Sequence, residues 1–92
     1  IPHTMKIEVE TENAREVLDA LEAGADIIML DNMSPGQMAQ MVELIAGRAI
    51  VEASGGITAQ TIVEVAQTGV DYISVGSLTH SVKAIDISLD FQ

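Results

Sequence analysis

The chain has 92 residues, of which 48% are hydrophobic, and its 14 acidic and 4 basic residues give it a formal net charge of −10. This length allows one small domain at most, with a core of aliphatic residues and methionine that we expect a partner to cover in part. The negative charge argues against nucleic-acid binding, the absence of cysteine excludes disulfides and thiolate metal sites, and no apolar run is long enough to cross a membrane, so we expect a cytoplasmic protein.

Short apolar runs alternate with amphipathic segments along the chain, which predicts strands separated by helices. The predicted strands cover, in chain order, residues 6–10, 26–31, 50–53 and 72–75. The predicted helices each begin at a capping residue and end at a glycine, from Asn13 to Gly24, Ser34 to Gly47 and Thr58 to Gly69. The tail is ambiguous, and we assign to it a short helical turn around 78–82 and an extended end at 85–89.

The alternation of strands and helices requires parallel pairing through right-handed crossovers. An internal repeat supports this, because residues 23–31 match residues 68–76 two strand-helix units later. Four strands alone would leave two open sheet edges, as expected for a piece of a barrel. The sequence therefore predicts one domain over residues 1–92, an α/β fold that forms a partial (β/α) barrel of about four parallel strands and three helices. We expect the free chain to self-associate, since Met29, Ile50 and Tyr72, which face the barrel interior, would be exposed in it.

Charged residues lie near the carboxyl ends of the predicted strands. Glu10 and Asp31 end the first two, and the carboxyl rim of α/β barrels holds the active site, so both are candidate functional carboxylates. Strand alternation places Lys6, Glu8 and Glu52 on the same side as these two. We interpret the three as a polar core in which Lys6 neutralises Glu8 or Glu52.

Two glycine-containing turns follow the third and fourth predicted strands. Their residues are Ser54, Gly55, Gly56, Val75, Gly76 and Ser77. Backbone N–H groups in such turns bind phosphate in barrels of this type, although Ser-Gly-Gly by itself is more often a plain turn. His80 either donates to the same phosphate or is a surface residue. With no ligands at the local spacing of a zinc site, rim carboxylates suit Mg²⁺ held through waters and substrate oxygens.

Four segments carry a resemblance to a known family. They are KIEVE at 6–10, AGADIIMLDNM at 23–33, EASGGI at 52–57 and TGVDYISVGSLTH at 68–80. Together they resemble the C-terminal half of the quinolinate phosphoribosyltransferases, also called carboxylating nicotinate-nucleotide pyrophosphorylases. The resemblance covers nearly the whole chain, including the closing ISLD at 87–90.

The resemblance implies part of an enzyme that condenses quinolinate with phosphoribosyl pyrophosphate and Mg²⁺, releasing pyrophosphate and CO₂ and giving nicotinate mononucleotide for NAD synthesis. It implies that Glu10 and Asp31 hold the ribose hydroxyls and the metal-bound substrate, and that the two turns and His80 bind phosphate. It also implies a homo-oligomer, a dimer or larger. The family's N-terminal domain and first barrel strands, with the cationic cluster for quinolinate, have no counterpart here. We therefore expect a fragment that is inactive alone.

Two other interpretations stay open from the residues. The chain could belong to another phosphate-binding barrel enzyme, or to a paralogue acting on a different base, because the base-binding residues lie outside it. It could also be a self-assembling half barrel or an interaction module that lacks catalysis. Binding of phosphoribosyl pyrophosphate, with and without Mg²⁺, would separate the enzyme from the interaction module.

Overall fold

Five strands lie across one sheet in the order in which they follow one another in the chain. The computed structural model describes residues 6–84. The strands are β1 (Glu8–Thr11), β2 (Ile27–Asp31), β3 (Ile50–Ser54), β4 (Tyr72–Val75) and β5 (Leu78–Ser81). The helices are α1 (Ala14–Glu22), α2 (Pro35–Ile45) and α3 (Ile62–Ala66), and a 3₁₀ turn follows at Val82–Ala84. Strands β1 to β4 pair in parallel, which confirms the predicted α/β class. In the described part of the chain, no helix has the length and apolar character to cross a membrane.

The first two helices begin where the sequence predicts. Asn13 Oδ1 accepts a hydrogen bond from the Glu16 N–H at 2.9 Å. At α2, Ser34 Oγ accepts from the Gln37 N–H at 3.2 Å, and Gln37 Oε1 accepts from the Ser34 N–H at 2.9 Å. Each cap satisfies backbone donors that the first helical turn leaves without partners. The sequence therefore determines the starts of α1 and α2 locally.

The third helix is shorter than predicted, and Thr58 is not its N-cap. Thr61 Oγ1 accepts from the Thr58 N–H at 3.0 Å, and Thr58 Oγ1 accepts from the Gln60 N–H at 3.2 Å. Threonine hydroxyls that bond to nearby backbone compete with helix formation. The segment from Thr58 to Thr61 is therefore a turn, and the helix starts one turn later, at Ile62.

The two faces of the sheet differ in burial. One face is covered by the helices and carries the buried residues Ile28, Leu30, Val51, Ala53 and Ile73. These form one core with Val17, Met38, Met41, Ile45 and Val65 of the helices. The residues that alternate with them lie on the other face, called here the open face. Met29 and Ile50 are half-buried there, and Tyr72 is 39% exposed, so the predicted alternation is confirmed.

The fifth strand corrects the predicted helical turn around 78–82. β5 pairs antiparallel with β4 from Tyr72↔Ser81 to Val75↔Leu78, and the chain reverses at Gly76 and Ser77. Gly76 has φ 63°, a left-handed conformation that glycine adopts without a steric penalty. The turn geometry therefore outweighs the weak helical pattern of the segment, and β4 has a successor strand that the sequence did not identify. The predicted extended end at 85–89 lies outside the described residues.

The internal repeat of the sequence is also a repeat of hydrogen bonds. Asp26 Oδ2 accepts from the Ile7 N–H at 2.8 Å, and Asp71 Oδ2 accepts from the Val51 N–H at 2.9 Å. In return, the Asp26 N–H donates to the Ile7 carbonyl and the Asp71 N–H donates to the Val51 carbonyl, both at 2.8 Å. Both aspartates thus tie the chain entering a strand to the strand before it, at the end of the sheet opposite the rim.

Candidate functional site

The exits of β2 and β3 meet at the carboxyl rim of the sheet. Asp31 and Ser54 are register partners, and the Asn32 N–H donates to the Ser54 carbonyl at 3.2 Å. A Cβ placed on Gly55 would overlap Asp31 Oδ1 and would lie 3.0 Å from the Asn32 backbone nitrogen. The Asp31 carboxylate therefore lies directly against the first glycine of the Ser54-Gly55-Gly56 turn. The structure brings these two predicted elements together.

Glu10 lies on the open face, farther from the carboxyl rim than Asp31. Its register partner is Met29, so two residues of β2 separate its level from that of Asp31. The Glu10 side chain is exposed, whereas Asp31 is half-buried. The predicted pair of carboxylates therefore occupies one face of neighbouring strands, at two different heights.

The open face accumulates negative charge. Partial desolvation, together with the negative charges of Glu52 and Glu10, raises the pKa of Glu8 above its ordinary value. The ion pair found among residues 6–84 joins Arg15 to Asp19 on α1, at 3.6 Å. The interpretation that Lys6 neutralises Glu8 or Glu52 is therefore wrong, because the Lys6 ammonium forms no ion pair within this range.

Glu52 has a different partner from the one the sequence suggested. The Ser74 hydroxyl donates to Glu52 Oε2 at 2.5 Å, and Ser74 Oγ lies 3.0 Å from Thr79 Oγ1. We call these three residues the hydroxyl chain. Strand alternation predicted Glu52 and Ser74 on one face, but Thr79 lies in the segment that was assigned to a helical turn. Thr79, His80 and Ser81 are polar in succession, so β5 carries no alternation of polar and apolar residues that could have identified it.

The two glycine turns present backbone donors at the rim. Gly55, Gly56 and Gly76 have φ of 84°, 70° and 63°. Among residues 6–84, no backbone carbonyl accepts from the N–H groups of Gly55, Gly56, Gly76 or Ser77. Gly56, Gly76 and Ser77 are exposed. Consecutive turn N–H groups without internal acceptors form the kind of concave surface that binds anions.

Two predicted phosphate-site residues have side chains on the side of the sheet opposite the open face, where His80 is exposed. His80 is the register partner of Ile73, and Val75 is the register partner of Leu78. Directly opposed residues of an antiparallel pair point to the same face, so His80 shares the face of buried Ile73. Only the backbone of Val75 is available at the rim. The structure does not bring the His80 imidazole to the open face with Asp31 and Ser54.

The comparisons with known proteins place these residues in one family. The chain is 46% identical over 97 residues to a probable carboxylating nicotinate-nucleotide pyrophosphorylase of Methanocaldococcus jannaschii, covering 98% of this chain and 34% of that protein. A Bacillus subtilis protein described in the same words is 47% identical over 88 residues, covering 96% of this chain and 30% of its own length. The chain thus spans about a third of the length of the curated relatives it matches.

Solved structures agree with the sequence relatives. The nicotinate-nucleotide pyrophosphorylase of Francisella tularensis superposes with a TM-score of 0.75 at 40% identity, covering 85% of this chain and 29% of that one. That of Ehrlichia chaffeensis gives a TM-score of 0.74 at 35% identity, covering 78% and 26%. The model of the quinolinate phosphoribosyl transferase C-terminal domain matches residues 1–90. The chain therefore belongs to the quinolinate phosphoribosyl transferase family, as the resemblance of its motifs predicted.

Proposed function

We propose that this chain supplies the ribose-binding and phosphate-binding side of an enzyme that transfers a phosphoribosyl group to quinolinate. The products are nicotinate mononucleotide, pyrophosphate and CO₂. The observation that carries the proposal is the contact between Asp31 and Gly55, which puts a carboxylate beside a turn with free backbone donors. A sugar phosphate requires both groups within the length of one ligand.

The chemistry assigns different roles to the two kinds of group. Departure of pyrophosphate leaves positive charge on the ribose, and the Glu10 and Asp31 carboxylates stabilise that charge as it develops. The backbone N–H groups of the Ser54–Gly56 and Val75–Ser77 turns hold the 5′-phosphate, which fixes the ribose relative to the carboxylates. His80, predicted for the same phosphate, has no such contact in this arrangement, and its role stays a prediction.

Magnesium fits the donors of the rim only in part. Among residues 6–84, no three His, Cys, Asp or Glu side chains gather closely enough to hold a metal ion. Glu10 and Asp31 offer the oxygen ligands that Mg²⁺ prefers, and Mg²⁺ commonly keeps waters and substrate oxygens as its other ligands. Glu10 and Asp31 would therefore hold the ion through water and substrate, and the bound ion would neutralise charge on the pyrophosphate.

Quinolinate itself is a dicarboxylate, and the described rim carries carboxylates of its own. A cationic cluster for quinolinate must therefore come from outside this chain, either from the rest of the same polypeptide or from another subunit. The relatives, which are described as carboxylating pyrophosphorylases, are about three times as long as this chain and so have further residues that could supply such a cluster. A homo-oligomer and a cytoplasmic location, both expected from the sequence, stay predictions.

Steady-state kinetics on the full protein that carries this chain test the proposal. We expect Glu10→Ala and Asp31→Ala each to lower turnover of quinolinate and phosphoribosyl pyrophosphate by about 10²-fold, because each removes charge stabilisation in the transition state. Glu22→Ala is the matched control, since Glu22 is an exposed carboxylate on α1. Equal losses in all three variants would remove the case for a site at the rim. Turnover of nicotinate without release of CO₂ would favour a paralogue with a different base.

A further inference from the structure

The backbone pairing between β3 and β4 is short compared with that of its neighbours. β2 and β3 pair over five residues, up to Asp31↔Ser54. β3 and β4 pair only at Glu52↔Tyr72 and Ala53↔Ile73. The pairing therefore stops one residue before the rim, between the two turns assigned to phosphate. Backbone hydrogen bonds do not fix the distance between these turns.

The hydroxyl chain crosses this gap. Glu52 lies two residues before Ser54 on β3, and Ser74 lies two residues before Gly76 on β4. The Ser74 hydroxyl has one proton, which it donates to the Glu52 carboxylate, so the 3.0 Å contact with Thr79 requires the Thr79 hydroxyl to be the donor. The direction is thus Thr79 to Ser74 to Glu52. The chain links β5, β4 and β3 in series.

We propose that Glu52, Ser74 and Thr79 are positioning residues, which set the distance between the Ser54–Gly56 turn and the Val75–Ser77 turn so that both bind one phosphate. The proposal rests on the proposed function, because it concerns the geometry of that phosphate site. In this role the three side chains act on the phosphate site through the backbone. They hold the backbone N–H groups of the two turns in place, and the charge-assisted bond to Glu52 supplies the rigidity.

Kinetics on the full protein test the proposal through separate Michaelis constants. We expect Ser74→Ala to raise the KM for phosphoribosyl pyrophosphate about tenfold, the equivalent of losing one hydrogen bond to a charged group. The KM for quinolinate and kcat should stay within about twofold, since loss of ground-state and transition-state binding in equal measure raises KM alone. Glu52→Ala should raise the same KM to a similar extent, and the double variant should be no worse than Ser74→Ala, because all three break the bond between Ser74 and Glu52 that joins β4 to β3.

Two further variants separate positioning from general stability. Glu52→Gln keeps an acceptor oxygen for the Ser74 hydroxyl, so it should restore most of the affinity. Thr68→Val is the matched control, since Thr68 also loses a hydroxyl bond, made at 2.6 Å to the Val65 carbonyl at the opposite end of the sheet. A Thr68→Val effect equal to that of Ser74→Ala would overturn the proposal, as would a fall in kcat alone.

A titration with inorganic phosphate gives a result that does not depend on turnover. In the wild-type protein, the amide resonances of Gly55, Gly56, Gly76 and Ser77 should shift together with one dissociation constant. In Ser74→Ala, we expect that constant to rise and the two turns to report different values. Identical titrations in both proteins would contradict the positioning role. If the wild-type protein showed no turnover but its two turns still responded to phosphate with one dissociation constant, the proposed reaction would be contradicted. The positioning role would remain supported.

Discussion

The region from β1 to β3 and the region from β3 to β5 use the same strand pattern but are held in different ways. In the first, β2 and β3 pair over five residues, and helices of 9 and 11 residues carry side-chain caps. In the second, β3 and β4 pair at two positions, and α3 has five residues and no side-chain cap bond. Backbone pairing therefore positions Asp31 and Ser54, whereas side chains position the turn at Gly76.

The largest loss of stability should come from disrupting the contact between Asp31 and Gly55 at the carboxyl rim. Gly55→Ala places a methyl group against Asp31 Oδ1 and the Asn32 backbone, in a left-handed conformation. We expect a loss of about 3 kcal/mol in the free energy of unfolding, from the backbone cost and the overlap together. Urea unfolding measures this.

Gly56→Ala is the matched control for this prediction. Gly56 also has positive φ, at 70°, but nothing lies within 4 Å of an added Cβ. It should lose only the backbone cost, roughly 1 kcal/mol. If the two glycines gave equal losses, the close contact between Asp31 and the turn would be in doubt.

The two repeated aspartates test whether the second region depends more on its side chains. The bond from Val51 N–H to Asp71 is half-buried, whereas that from Ile7 N–H to Asp26 is exposed. We expect Asp71→Ala to cost about 2 kcal/mol and Asp26→Ala about 1 kcal/mol, because an unsatisfied donor costs more where water is scarce. Thermal unfolding of both variants gives the comparison. Asparagine at either position keeps an acceptor and should recover part of the loss, and a larger cost at Asp26 would reverse the argument.

Removing a helix cap should destabilise the first region more than the second, although the difference is smaller than that between the two aspartates. Ser34→Ala removes the hydroxyl that accepts from the Gln37 N–H in the α2 capping box, which should cost about 1 kcal/mol. Thr61→Ala should cost about half as much, because the Thr61 hydroxyl bonds to the preceding turn and not to the helix. Unfolding followed by the far-ultraviolet circular dichroism signal measures both, and Ser34→Asp serves as the capping-competent control. A greater loss at Thr61 would show that α3 is capped as strongly as α2.

The smallest effect concerns the charge of the open face. Because the folded-state pKa of Glu8 is raised, the folded protein binds more protons than the unfolded chain between pH 4.5, the ordinary value, and that raised value. Ionised Glu8 therefore destabilises the fold at neutral pH, and this cost disappears as the pH falls through the raised pKa. We expect Glu8→Gln to be slightly more stable than wild type at pH 7 and equal to it near pH 4.

Exposed Glu22 on α1 provides the control for this pH dependence. Glu22→Gln removes one negative charge from the solvated face of α1, so it separates the loss of a carboxylate from the relief of repulsion on the open face. A stability difference between Glu8→Gln and wild type that does not change with pH would argue against repulsion among Glu8, Glu10 and Glu52.

The parts of the fold that the sequence predicted are those determined by local chemistry. Asn13 and Ser34 begin helices through bonds to residues three positions away, so their pattern is visible in the sequence. Alternation likewise placed Asp31, Glu52 and Ser74 on one face. β5 was missed because its partner is β4, and a strand defined by its partner has a weak signal of its own.

The candidate site was predicted less completely, for a related reason. Residue patterns alone do not decide whether Glu52 pairs with Lys6 or with Ser74, since that choice depends on the register of β3 and β4. His80 was grouped with the rim by its motif, but one residue of strand alternation moves a side chain to the opposite face. Contacts between strands therefore decide what the rim contains.

The sequential order of the strands also has a consequence for folding during synthesis. Ile27 follows its partner Glu8 by 19 residues, and Tyr72 follows Glu52 by 20, so each new strand pairs with the one made just before it. At ribosomal rates, about 20 residues take on the order of 1 to 4 s, so each strand has seconds to pair with its neighbour before the next strand is made. Each strand therefore emerges beside a neighbour that is already complete, and the β4–β5 hairpin can close without waiting for any distant segment.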